Sequence, residues 1–218
     1  MLRAFEFAGG IGVEVEAPDA PDEAVRLAES RGSAEGGYWA AVWPAAEVLG
    51  ECLATSVLVG PGVRVLEIGC GVGLAGLVAA ARGAEVVLSD IDERAVELAG
   101  SNLRRNGLSG RAVVLDWRDD GWPAALAGWE PDLIVGSDVL YFERAHGPIA
   151  RLIARAGCPA ILADPNRPRA SGAVEVFERM GLACWVRAVS GGRMLMVQRG
   201  RGAGEAGGVY SLGLSAQP

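Results

Sequence analysis

The chain contains no lysine: all 20 of its basic residues are arginine. This excludes a GxxxxGK phosphate loop, a pyridoxal Schiff base and a lysine general base. Histidine is nearly as scarce. His146 stands alone, so a two-histidine metal site cannot be built, and no metal is expected. A Ser-His-Asp triad would rest wholly on His146, which lies in the loop-like "RAHGP" and reads as a solvent-exposed residue at a helix start. The four cysteines (Cys52, Cys70, Cys158 and Cys184) are widely spaced and form no CxxC pair. That spacing speaks against zinc and for a reducing, cytoplasmic setting. Apolar runs are broken by Gly, Pro or charge well before ~18 residues, so no membrane span is expected. "MLRAFEF" has no apolar signal core, so no export is expected either. A net charge of −7 disfavours nucleic acid and favours neutral or basic partners.

With 218 residues, half of them hydrophobic and 22% charged, the chain suits one folded domain with a small appendage. "LRAFEF" and "GVEVEA", joined by "AGGI", predict an N-terminal β-hairpin, and residues 21–30 a short amphipathic helix. Pro44 suits the first turn of a helix reaching about Thr55. Strands "VRVLEIG", "AEVVLSD", "RAVVLDW", "PDLIVGSD" and "CPAILADP" then alternate with helices over 73–82, 92–106, 147–156 and 170–180. "ACWVRAV" and "RMLMVQR" read as an antiparallel hairpin at the sheet edge. Residues 200–208 read as a glycine-rich loop, and 209–214 compete with 193–198 for the role of final strand. The expected fold is α/β, a Rossmann-like doubly wound sheet, mostly parallel with an antiparallel C-terminal edge strand. Residues 1–37 form the hairpin-and-helix extension and 38–218 the main domain.

Ligands of such sheets bind at the carboxyl ends of the strands. Here those ends read Glu67-Ile68-Gly69, Ser89-Asp90, Asp116-Trp117, Ser137-Asp138 and Asp164-Pro165. Five acids in register describe a polar crevice for hydroxyls, amines or positive charge, although any one of them could be a helix cap. The loop "EIGCGVGLAG" allows close backbone approach before a helix N-terminus. Gly71, Gly73 and Gly76 satisfy GxGxxG, with Asp90 beyond them, so a nicotinamide cofactor competes. Glu67 at the strand end suits instead a ligand with an ammonium group, and Asp116-Trp117 offers an amino acceptor and a flat surface for adenine.

"VLEIGCGVG", "LSDID" and "VVLDW" together resemble a class I, or seven-β-strand, S-adenosylmethionine methyltransferase. "YWAAVWP" upstream and an Asp-x-x-Tyr after the fourth strand of the alternating series are similar to the protein-lysine methyltransferases of that class. "DPNRPRASG" brings the chain nearest to the group that methylates the electron-transfer flavoprotein β subunit. The resemblance implies S-adenosylmethionine as cofactor and an exposed lysine on a protein partner as acceptor, with no nucleic acid or membrane involved. It implies that backbone at Gly69, Cys70 and Gly71 meets the methionine moiety and that Glu67 favours its ammonium. Asp90 would take the ribose hydroxyls, Ile91 and Trp117 the adenine, with Asp116 accepting from its amino group. Ser137 would border the ring or the methionine chain, and Trp43 would close the pocket. Core packing or helix capping would account for Trp43, Asp90, Asp138 and Tyr141 equally well in sequence.

Asp138 is a poor base for an ammonium, at about 3.9 against about 10.4 for lysine. Its expected catalytic role is orientation, accepting a bond from the nitrogen and aiming its lone pair, with Tyr141 as second acceptor or aromatic wall. A small amine as acceptor would use the same cofactor residues, and a nicotinamide-dependent dehydrogenase is the third reading.

Overall fold

The computed structural model describes residues 1–30 and 37–200. β1 (Leu2–Phe7) and β2 (Ile11–Glu16) pair antiparallel, from Leu2 opposite Glu16 to Phe7 opposite Ile11. α1 (Pro21–Ser30) follows. α2 (Pro44–Thr55) starts on a proline, whose missing N–H costs nothing in a first turn. The alternation then runs β3 (Arg64–Ile68), α3 (Leu74–Ala81), β4 (Glu85–Asp90), α4 (Glu93–Arg105) and β5 (Gly110–Val114). It continues through the short α5 (Trp122–Ala125), β6 (Leu133–Ser137), α6 (Glu143–Ala156), β7 (Ala160–Asp164) and α7 (Gly172–Arg179). β8 (Leu182–Val189) and β9 (Gly192–Arg199) form the last described hairpin.

The seven-stranded sheet has the order β5-β4-β3-β6-β7-β9-β8. The first five strands are parallel, and the hairpin joins antiparallel through its second arm, β9, which pairs with β7. The chain winds outward from β3 to β5 and then returns to the other side of β3 with β6. A crevice opens at that reversal. Of the glycine-rich segment 200–208 only Gly200 is described, and 209–214 lies outside the described residues. No described helix is long and apolar enough to cross a membrane.

Strand side chains alternate between faces. Val65, Val135 and Ile161 face α2, α3 and the N-terminal hairpin, meeting Leu49, Leu77 and Val15. Leu66, Ile68, Ile134 and Leu162 face α6 and α7, meeting Ile149 and Phe177. The same alternation turns Glu67 toward α3 with Val65. There Gly76 has no room for a side chain: a Cβ would lie 2.1 Å from Leu88 Cδ2 and 2.6 Å from Glu67 Oε2. The bare backbone lets the Gly76 N–H donate to Glu67 Oε2 at 2.9 Å.

The N-terminal hairpin is held by two asparagines of α4. Asn106 donates to the Glu14 carbonyl at 2.7 Å and accepts from its N–H at 2.8 Å. Buried Asn102 accepts from the Glu16 N–H at 2.8 Å, and donates to the Glu16 carbonyl at 3.0 Å and to the Val72 carbonyl at 2.9 Å. Val72 belongs to the glycine loop, so Asn102 fastens hairpin and loop together.

His146 departs from the sequence expectation. α6 begins at Glu143, a turn earlier than its apolar pattern suggests, and this turns His146 inward at 1% exposure. Its Nε2 lies 2.9 Å from the Leu140 carbonyl, so it holds the loop after β6 against α6 and stands in no triad.

Asn102→Ala strips the bonds from three backbone groups at the hairpin and loop, two part-buried at Glu16 and one buried at Val72. It is expected to cost about 2–3 kcal/mol in urea unfolding, and a loss below about 0.5 kcal/mol would refute the fastening role.

Candidate active site

A cavity of about 970 Å³ occupies the crevice at the carboxyl ends of the strands. Its walls contain Trp43, Gly69, Cys70, Gly71, Asp90, Ile91, Trp117, Ser137, Asp138 and Tyr141. These ten residues come from six separate stretches of chain. Glu67 and Asp116, also expected there from sequence, do not line it.

The glycine turn forms the floor. Gly69 and Gly71 take φ of 60° and 51°, the left-handed region that favours glycine. A Cβ at Gly71 would press within 3.1 Å of the Trp39 carbonyl. Asp90 closes the turn from β4, with Oδ2 accepting from the Gly71 N–H at 2.9 Å and Oδ1 from the Asp92 N–H at 3.0 Å. Each oxygen keeps a second lone pair. Ile91 follows as a side chain 40% exposed at the cavity, an apolar surface without a cover.

Glu67 sits beneath the turn at 1% exposure. Burial pushes its carboxyl up to about 8, against the Gly76 hydrogen bond that lowers it, and neighbouring Asp90 adds to the rise. Burial raises Asp90 as well, opposed by its backbone donors. Cys70, buried in the same loop, is raised well above an ordinary thiol, first by burial and then by Asp90 and Glu67. It is therefore no nucleophile.

The other strand-end acids are paired with arginine. Asp116 binds Arg118 through both oxygens at 2.9 to 3.1 Å, and Arg118, not Asp116, lines the cavity. Partial burial raises Asp116, but the bonds from Arg118 outweigh it and hold the group below the ordinary range. Asp138 pairs with Arg167, its Oδ1 3.0 Å from Nε and its Oδ2 3.3 Å from Nη2. Asp164 faces Arg193 at 3.3 Å. The crevice is thus less acidic than the sequence suggests. Among the described residues Glu67 and Asp90 have no arginine partner and meet only backbone N–H groups, and burial biases both toward the protonated form, so Glu67 carries little charge near neutral pH.

Across the cavity stands an aromatic wall. Tyr38 lies 5.6 Å from Tyr141 and 6.2 Å from Trp43 between ring centroids, and the Trp43 Nε1 donates to the Tyr38 carbonyl at 2.8 Å. Tyr141 packs on Phe142 at 4.3 Å. Tyr38, Trp39, Phe142 and Arg167 line the cavity without having been singled out in sequence. The first two lie in "YWAAVWP" and Arg167 in "DPNRPRASG", so the segments were visible but not which side chains turn inward. Among the described residues no three His, Cys, Asp or Glu side chains group as a metal site.

Comparison with known proteins identifies the family. Residues 20–159 match the family described as lysine methyltransferase. The chain belongs to the lysine methyltransferase family. Among relatives, a calmodulin-lysine N-methyltransferase of Arabidopsis thaliana is 34% identical over 57% of this chain and 44% of its own length. An electron transfer flavoprotein β-subunit lysine methyltransferase of Danio rerio is 31% identical over 60% of this chain and 50% of its own. A human histone-arginine methyltransferase is 41% identical over 46% of this chain and 54% of its own. The chain thus spans about half the length of the curated relatives it matches. A T. thermophilus 16S rRNA methyltransferase solved with AdoMet and guanosine has a TM-score of 0.64 and 21% identity, covering 92% of this chain and 51% of that one. A TehB-like SAM-dependent methyltransferase of Corynebacterium glutamicum has a TM-score of 0.56 and 19% identity, covering 84% and 100%. These likenesses confirm the class I fold.

Glu67 predicts a pH dependence for this family member. A carboxyl raised in the folded state resists ionising there, whereas the unfolded chain ionises near 4.5. Its contribution is favourable at low pH and is lost as pH rises from about 4.5 to about 8. Glu67→Gln keeps an acceptor for Gly76 without the ionisation. Its stability relative to wild type should therefore increase by a few kcal/mol between pH 5 and pH 8. Parallel urea-stability curves for the two proteins would contradict the buried, raised carboxyl.

Proposed function

We propose that this chain transfers a methyl group from S-adenosylmethionine to a lysine side chain of a protein partner, with the electron-transfer flavoprotein β subunit as the candidate. One observation carries this reading: the glycine turn with Asp90 shares a cavity with an aromatic wall and the carboxylate of Asp138, a setting suited to a cationic side chain.

The turn fits the cofactor. Gly69 and Gly71 hold the left-handed backbone that packs the turn against Val139, Trp117 and Trp39 at the cavity floor, and Asp90 borders the cavity as a hydrogen-bond acceptor. The second lone pairs of Asp90 are assigned to the ribose hydroxyls, and Ile91 with Trp117 to the adenine faces. Trp43 bounds the cavity from the N-terminal side and Ser137 from β6. Glu67 acts from below through its hold on α3 at Gly76, and Asp116 acts through Arg118, which lines the cavity. S-adenosylmethionine supplies a methyl group already activated on a positive sulfur. The chain's remaining work is to bind the acceptor nitrogen in line and free of water. Asp138 is placed to accept a hydrogen bond from that nitrogen, with Tyr141 beside its alkyl chain.

The tight packing of Gly76 against Leu88 would suit either cofactor class; the match to the lysine methyltransferase family argues against the nicotinamide reading. None of the relatives named above is a dehydrogenase. A ligand at 100 times its dissociation constant adds ~2.7 kcal/mol, which raises the melting temperature of a chain this size by roughly 5–10 °C. S-adenosylhomocysteine should produce that shift and NAD none. A shift with NAD alone would return the dehydrogenase.

The acceptor is tested with labelled S-adenosylmethionine in an extract of the source organism. Having no lysine, the enzyme cannot label lysines of its own. Label on a discrete, RNase-resistant protein and mapped to lysine is the expected result. Label on arginine, or confined to small molecules, would replace the lysine assignment.

A further inference from the structure

The carboxylate assigned to the acceptor already holds a cation. Asp138 is 7% exposed, and its backbone sits at φ 57° with its N–H donating to the Ala163 carbonyl at 2.9 Å. Both its oxygens face the guanidinium of Arg167. That guanidinium lies 6.0 Å from the Trp43 ring centroid, beside the Tyr38–Tyr141 pair. A cation held by a buried acid and bordered by aromatic rings is what an acceptor lysine would be in the same place.

The pair is lopsided. The Asp138 side chain is 6% exposed but that of Arg167 is 43% exposed, so the arginine has a route to solvent and the carboxylate has none. Arg167 is anchored at its backbone, where its N–H donates to Asp164 Oδ1 at 2.9 Å. Only its side chain needs to move for the pair to open.

We propose that Arg167 is an internal occupant of the acceptor position, displaced from Asp138 by the cationic side chain of a protein substrate. This rests on the methyltransferase reading above and adds a specificity determinant to it. A buried carboxylate is costly to strip of its cation, so Arg167 leaves as another cation arrives. The exchange conserves charge and rejects neutral hydroxyls. It also sets a threshold, because an occupied site binds more weakly by the fraction of time it is open. A free amine meets that threshold unaided. A lysine on a docked protein meets it with a high effective concentration. The class of acceptor selected is a protein-borne cation over a small amine.

The test titrates n-butylammonium, the lysine side chain without its backbone, into the full chain saturated with S-adenosylhomocysteine and followed by nuclear magnetic resonance. Arg167→Gln should bind the probe at least tenfold more tightly than wild type. Arg144→Gln removes the same charge from the same cavity, where the guanidinium lies 4.0 Å over the Phe142 ring. It should change affinity less than threefold. Adding Asp138→Asn to Arg167→Gln should abolish the gain, and asparagine tolerates the left-handed backbone there. If Arg167→Gln does not fold, Arg167→Lys, which loses the two-pronged grip, should show at least a threefold gain. Unchanged or weaker binding in the Arg167 variant, or an equal gain in Arg144→Gln, overturns the proposal. A wild-type chain that fails to bind S-adenosylhomocysteine overturns the methyltransferase reading instead, and that result is seen before any probe is added.

Discussion

The hydrogen bond from the Gly76 N–H to the buried carboxylate of Glu67 fixes how closely α3 approaches β3. Everything at the cofactor side of the crevice hangs on that approach. The glycine turn between β3 and α3 has its shape because its two ends are drawn together, and a methyl group at position 76 would push Leu88 and Glu67 aside. Asp90 then clasps the turn from the neighbouring strand at the Gly71 N–H. A polar bond in the sheet interior therefore sets the geometry of a surface ligand site. The same burial leaves Glu67 and Asp90 without an arginine partner among the described residues and raises both carboxyls, so they serve the turn as hydrogen-bond acceptors for backbone N–H groups.

Sequence reveals local constraints and hides long-range ones. The β-strands and helices of the main sheet were legible because apolar runs, glycines and prolines act within a few residues: Pro44 starts α2, and Thr55 ends it. The strand-end acids were legible for the same reason, since each follows its own apolar strand. Their partners were not. Arg167 lies 29 residues from Asp138, and no periodicity links the two. An acidic crevice was the natural reading of the acids alone; Arg118 lies two residues from Asp116, but the arginines that pair with Asp138 and Asp164 come to them only in the folded chain. His146 was misjudged because "RAHGP" carries a proline, and the helix simply tolerates Pro148 inside it. The insertion of β9 between β7 and β8 is likewise a matter of sheet edges, which spacing does not record.

The use of arginine alone for every basic role shapes the site. A guanidinium grips a carboxylate with two nitrogens in a plane, and it keeps its charge at any pH the fold survives. Asp116 and Asp138 are both gripped in that two-pronged way. The crevice therefore sets arginine-paired acids at Asp116, Asp138 and Asp164 against Glu67 and Asp90, which among the described residues meet only backbone N–H groups.

Asn102 couples two parts of the molecule that look independent. Its amide joins the Glu16 backbone of the N-terminal hairpin to the Val72 carbonyl of the glycine loop. A ligand that narrows the motion of the loop must also narrow that of the hairpin, and by thermodynamic reciprocity a well-seated hairpin must favour the ligand by the same factor. The hairpin is thus tied to the glycine loop through Asn102 and through the apolar core that Val13 and Val15 share with Val72 and Leu77.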